Sequence, residues 1–181
     1  MRGRDHDTSP PMRRRTHLAA ITAALVVVGL TAGCQVDSLA DIPADPRGTL
    51  DRVEGGFLRV GVSPNPPWTD LPEGLEDPLR PSGREVELVE AFAESLDAEV
   101  VWAAGSEEEL LGDLETGALD VVVGGLTARS PWASHAALTR PYASVPGEKG
   151  EEELHVMATP MGENALLVAL ERFLLAQEVG G

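Results

Sequence analysis

Three short apolar runs, separated by helix-like stretches, constrain this chain more than any other feature. Residues 57–63 read FLRVGVS, 99–103 read EVVWA and 120–124 read DVVVG. Each has the length and β-branched content of a strand, and the last is apolar throughout, as a parallel strand covered on both faces must be. Between the first and second runs, Ser82 and Glu85 are spaced as a capping box ahead of EVELVEAFAESL, where Val86, Val89, Ala93 and Leu96 fall on one helical face. Between the second and third, Ser106 and Glu109 repeat that spacing, and Gly117 closes the stretch. Residues 64–81 carry six prolines and are read as loop. A further run, HVMATP at 155–160, is read as a fourth strand. Asn164 then caps a last helix, with Leu166, Leu170, Phe173 and Leu174 along one side. The order β-α-β-α-β followed by β-α predicts an α/β fold with a mostly parallel sheet flanked by helices. Ligands of such sheets bind at the carboxyl ends of the strands. Here those ends are Ser63-Pro64-Asn65, Ala103-Ala104-Gly105 and Gly124-Gly125-Leu126-Thr127.

The N-terminus reads as an address rather than as part of the fold. Arg13, Arg14 and Arg15 precede an uncharged stretch at 18–33, LAAITAALVVVGLTAG. It is shorter than the roughly 20 apolar residues of a bilayer-spanning helix and ends in small residues, as a signal peptide does. Leu30-Thr31-Ala32-Gly33-Cys34 resembles a bacterial lipobox, and Cys34 is the single cysteine of the chain. The resemblance implies cleavage before Cys34 and acylation of that residue, which gives a lipid anchor. An ordinary signal peptide, with Cys34 a bystander, is the alternative. Arg14-Arg15 fits twin-arginine export poorly, and Met12 is an alternative start. Residues 34–48 are polar with two prolines after the cysteine and read as a tether.

Beyond residue 33 the chain has nine basic residues against 28 acidic ones, a balance that argues against nucleic-acid binding. One cysteine excludes an intrachain disulfide, and His6, His17, His135 and His155 are too scattered to suggest a metal site or a catalytic triad. No metal, no cofactor and no enzymatic activity are expected. His135 has no sequence partner and reads as a surface residue.

The ordered pieces resemble family 3 of the bacterial extracytoplasmic solute-binding proteins, the amino-acid type that serves ABC importers. GGFLRVGVSPNPPW is similar to that family's first strand and the Pro-aromatic loop after it. The stretch from Ser82 to Thr127 is similar to its next helix, strand, helix and strand. LTRPYA is similar to the exit from its first lobe, and HVMATPMGENALLVALERFLL to the returning strand and closing helix. In the family a second lobe lies between exit and return, whereas only the twelve residues 143–154 lie there in this chain. These are too few for a lobe and read as a polar junction. The expected organisation is a signal peptide at 1–33, a tether at 34–48, lobe one at 49–142, a junction at 143–154, and a returning strand and closing helix at 155–181.

The resemblance also implies ligand-binding positions. Trp68 stands where the family places an aromatic that stacks on the ligand, although a packing plug is an equal reading. Gly124, Gly125 and Thr127 match the segment whose main chain and hydroxyl meet the ligand's α-carboxylate or amine. The family's carboxylate-clamping arginine is replaced by Trp132 on an ungapped count. Arg129, three residues earlier, either compensates or is a solvated loop charge. Glu107 stands near a stacking position and would favour a cationic ligand, but Glu107, Glu108 and Glu109 are also what a first helical turn favours. The implied partners are a small amino-acid-like solute, an ABC permease and the membrane. The implied location is the extracytoplasmic face. The competing reading is a remnant or partner-binding lipoprotein with no transport role.

Overall fold

The structure is a computed structural model that describes residues 45–72, 79–147 and 150–177. The expected signal peptide, Cys34 and residues 35–44 of the tether lie outside the described residues. Among the described residues no helix is long and apolar enough to cross a membrane.

The elements are α1 (Thr49–Val53), β1 (Phe57–Val62), α2 (Arg84–Ser95), β2 (Glu99–Ala104), α3 (Glu107–Thr116) and β3 (Val121–Val123), then a 3-10 turn (Pro131–Ser134). They are followed by β4 (Ala137–Leu138), β5 (Ala143–Pro146), β6 (Glu152–His155), β7 (Ala158–Thr159) and α4 (Asn164–Ala176). Five strands form one sheet in the order β2-β1-β3-β7-β4, and β5 and β6 form a separate pair. β1 lies parallel to β2, from Phe57 opposite Glu99 to Val62 opposite Ala104, and parallel to β3, with Gly61 opposite Val122. β7 runs antiparallel to both β3 and β4. The sheet is therefore mixed: the three strands read from the sequence make its parallel half.

Strand alternation separates two cores. Leu58, Val60, Val62, Val121 and Val123 face one layer, which Val89, Phe92, Leu166, Leu170 and Leu174 cover from α2 and α4. Val122 and Ala158 face the other, which Leu110, Leu111 and Leu114 of α3 cover. Gly61 permits that second contact. A Cβ there would come within 2.7 Å of Leu119 and 3.0 Å of Leu110. At the amino ends of the strands, Asp120 is 1% exposed and joins three elements. It accepts from Arg59 Nε (3.0 Å), Arg59 Nη2 (2.6 Å) and Arg52 Nη2 (2.5 Å).

Four expectations change. Asn164 does not cap α4 but is its first residue, and Glu163 holds the cap position without a side-chain cap bond. Residues 155–160 do not form one strand: His155 ends β6, Val156 and Met157 are buried, and Ala158–Thr159 enter the main sheet. The chain must pair with its own exit strand before it reaches β3, so one run serves two sheets. Residues 143–154 are not a plain loop either. The two ends of this segment pair as antiparallel strands, from Ala143 opposite His155 to Pro146 opposite Glu152. Finally, α3 is capped as expected, with the Ser106 hydroxyl accepting from Glu109 N (3.3 Å) and Glu109 Oε2 accepting from Ser106 N (3.1 Å). Ser82 does not cap α2. Gly83 occupies the cap position without a side-chain bond, and the Ser82 main chain pairs with Asp70.

The two serines should therefore differ in effect. Ser106→Ala is expected to lower stability by about 1 kcal/mol, and Ser82→Ala by well under half of that, in urea unfolding. Equal losses would contradict the observed caps.

Candidate ligand-binding site

The carboxyl end of β3 is tied to the exit segment at Tyr142 by one buried carboxylate. Glu85 lies in the first turn of α2 and is fully buried. Its Oε2 accepts from the main-chain N–H groups of Gly124 (2.8 Å) and Gly125 (2.8 Å), and its Oε1 accepts from the Tyr142 hydroxyl. Burial pushes the Glu85 carboxyl above its ordinary range, outweighing the three donors that pull it down. The Tyr142 hydroxyl is also pushed up, by burial first and then by the Glu85 charge.

Glycine is required where the loop closes over this carboxylate. Gly125 has a φ of 66°, and a Cβ there would lie 2.4 Å from Asn65 Nδ2 and 2.9 Å from the Trp68 ring. Asn65 Nδ2 in turn donates to the Gly124 carbonyl (2.9 Å), which ties the Pro-rich loop to the end of β3. The Gly124 and Gly125 N–H groups, expected to meet a ligand, thus already have an internal acceptor.

Trp68 is 7% exposed. It stacks on His155 with centroids 3.7 Å apart and meets Tyr142 edge-on at 6.3 Å. The Arg84 guanidinium sits 5.0 Å over the Trp68 ring. A ligand would stack on Trp68 only after one of these neighbours moved. His155 is buried, no hydrogen bond of normal geometry reaches either ring nitrogen, and burial holds its pKa below the ordinary value.

The remaining candidates lie nearer the surface. Thr127 is half-buried and bridges His155 through its main chain. Arg129 is exposed and turned onto the β5–β6 pair, donating to the Glu152 carbonyl (2.9 Å) and to Glu151 Oε1 (3.4 Å). Trp132 sits on the 3-10 turn capped by Ser130, and its indole N–H donates to Glu107 Oε2 (3.2 Å). Glu107 is the first residue of α3, directly beyond the end of β2, and both side chains are half-buried. The structure therefore joins two of the expected residues, Glu107 and Trp132, into one carboxylate–indole shelf at the strand ends. Sequence reasoning missed Glu85, Tyr142 and His155 as parts of the support. The available signal was the S-x-x-E spacing, which pointed Glu85 toward the wrong partner. Among the described residues no group of three His, Cys, Asp or Glu side chains is placed to hold a metal.

The family model for bacterial extracellular solute-binding proteins, family 3, matches residues 58–175. The chain belongs to this family. A search of curated proteins finds no match. Among solved structures, it is similar to the arginine-bound form of domain 1 from TmArgBP, at 24% identity and a TM-score of 0.57, over 68% of this chain and 95% of that one. It is also similar to an ancestral cationic amino acid solute-binding protein, at 15% identity and a TM-score of 0.58, over 70% and 92% of the two chains. A third is a Salmonella typhimurium periplasmic binding protein of high arginine specificity, at 10% identity and a TM-score of 0.54, over 65% and 91%. At these identities the likeness shows the fold, a single periplasmic-binding-protein-like lobe. In this family 3 lobe, the exit and return segments are zipped to each other as β5 and β6.

Glu85 should carry the largest energetic weight at the site. Glu85→Ala leaves three buried donors without an acceptor and is expected to lower stability by about 3 kcal/mol or more, against about 1 kcal/mol for Tyr142→Phe. Chemical denaturation checks the contrast. A Glu85→Ala loss below that of Tyr142→Phe would contradict the assigned support role.

Proposed function

We propose that this family 3 protein is an exported lipoprotein, anchored through Cys34 on the extracytoplasmic face, that captures a cationic amino acid for an ABC importer with a single lobe. The observation that carries this reading is the pairing of Glu107 with Trp132 at the carboxyl ends of the strands. A carboxylate beside an indole is a natural receptor for a guanidinium or ammonium group. It offers a charge-assisted hydrogen bond and a cation–π face together. The arginine-bound state of domain 1 from TmArgBP supports the same ligand class, because that chain is also one domain. Arg129, engaged with the β5–β6 pair, leaves the α-carboxylate without its customary clamp, so the cationic end of the solute provides most of the recognition. Binding from one side leaves the solute partly solvated, and the affinity is correspondingly weak.

One observation favours a different role. His155 stacks on Trp68 and fills the position where a ligand would stack. This supports a partner-binding lipoprotein without transport activity.

A thermal-shift titration of protein extracted from the membrane in neutral detergent separates the two. L-arginine is expected to raise the melting temperature in a saturable way, with glutamate and leucine inactive and Glu107→Gln requiring at least about tenfold more arginine. The intact mass of the same sample is expected to start at an acylated Cys34. A melt that no cationic amino acid moves would favour the partner-binding role, and an unmodified Cys34 would remove the anchor.

A further inference from the structure

At the opposite end of the sheet from the shelf, three arginines converge on one cavity. It measures about 220 Å³ and is lined by Arg47, Arg52, Arg59, Thr49, Gly117 and Asp120, among others. This clustering is out of character for the chain. Beyond residue 33 there are only nine basic residues, and three of them meet here. The lining contains one carboxylate, Asp120, which is 1% exposed and takes two bonds from the Arg59 side chain and one from Arg52. A second carboxylate, Glu163, lies behind the wall and accepts from the Arg47 and Thr49 main-chain N–H groups.

Pinning β1 to β3 accounts for Arg52 and Arg59 but not for Arg47. Arg47 is exposed, and its guanidinium donates through Nη2 to the Glu115 carbonyl (3.2 Å) near the end of α3. It rests against Gly117, where a Cβ would come within 2.5 Å of Arg47 Nη1. A guanidinium carries five N–H donors in a planar fork, and the bonds seen here use one or two from each arginine. The cavity is thus lined by positive charge in excess of negative, with donors to spare, in a surface otherwise acidic.

We propose that this pocket binds a phosphate-type oxyanion. Arginine forks match the tetrahedral oxyanion geometry in pairs, and three of them on one cavity supply more positive charge than Asp120 neutralises. Two sources share this chemistry: free phosphate, and the phosphodiester of an anionic lipid headgroup. Arg47 follows Cys34 by only thirteen residues in sequence, so one wall of the pocket comes from the first described residues of the lobe. A protein this acidic is repelled by an anionic membrane surface, and a basic pocket would give the lobe one preferred side toward it. Only this choice of source rests on the lipid-anchor reading. The anion site does not depend on solute binding at the shelf.

The test is phosphate titration of the full chain in neutral detergent at constant ionic strength, balanced with chloride and followed by thermal melting. Phosphate is expected to raise the melting temperature saturably. Arg47→Gln, which leaves the Asp120 cluster intact, is expected to need about fivefold more phosphate. Arg52→Lys, which keeps the charge but loses the fork, serves as a second variant should Arg47→Gln fold poorly, with the same direction of effect. Partition of the full chain into phosphatidylcholine vesicles with and without phosphatidylglycerol then separates the sources. A preference for phosphatidylglycerol that Arg47→Gln weakens by a similar factor identifies the headgroup. A phosphate response without such a preference identifies the free anion. No effect of phosphate beyond chloride, or folded variants that respond as the parent does, would overturn the proposal. Neither result would bear on the arginine response at the shelf.

Discussion

The arrangement of the strand ends depends on the buried carboxylate of Glu85. It sits in the first turn of α2, where the helix dipole favours negative charge, and it accepts from the Gly124–Gly125 turn and from Tyr142. Those three donors belong to segments far apart in sequence: the end of β3 and the point where the chain leaves the sheet. Burying an ionisable group is costly, as its raised pKa reflects, and the cost is offset only while every donor is in place. The aromatic packing follows from this. Tyr142, held by Glu85, meets Trp68 edge-on, and Trp68 in turn carries His155 and Arg84. A layer of polar and aromatic groups thus forms a floor below the strand ends. Glu107 and Trp132 stand at the surface beyond β2 and β3.

Much of the scaffold was legible because its signals are local. β1, β2 and β3 follow from short β-branched runs, and α3 follows from a capping box that the structure reproduces at Ser106 and Glu109. Glu85 shows where local reading fails. Ser82 and Glu85 have the same spacing as Ser106 and Glu109, yet the Ser82 main chain pairs with Asp70, and Glu85 turns inward to donors some 40 residues away. Identical spacing has two outcomes because the surroundings decide which donors a carboxylate meets. β4 and β7, at two residues each, are too short to leave any periodic trace. The Glu107–Trp132 pair spans 25 residues, and only the fold brings it together.

The β5–β6 pair gives this lobe its particular character. Exit and return strands pair over four residues, and Gly147 N donates to the Glu151 carbonyl (2.7 Å) just beyond the pairing. The facing backbone groups of these two strands therefore satisfy each other across the pair. The consequence for binding is a shelf rather than a cleft. A solute on Glu107 and Trp132 would keep one side in water, so the carboxylate and indole must supply selectivity that an enclosing site gains from burial.

That claim is tested most directly at the Trp132 indole. The chain has three tryptophans: Trp102 packs with the α2–α4 face of the sheet, and Trp68 lies in the floor below the strand ends, against Tyr142 and His155. Two-dimensional NMR of the indole N–H resonances during an L-arginine titration reads each one separately. A saturable shift of the Trp132 resonance is expected, with Trp102 unmoved, as the solute competes for Glu107. A Trp132 resonance that stays in place while arginine reaches tens of millimolar, roughly the weak limit for a single-sided site, would contradict it.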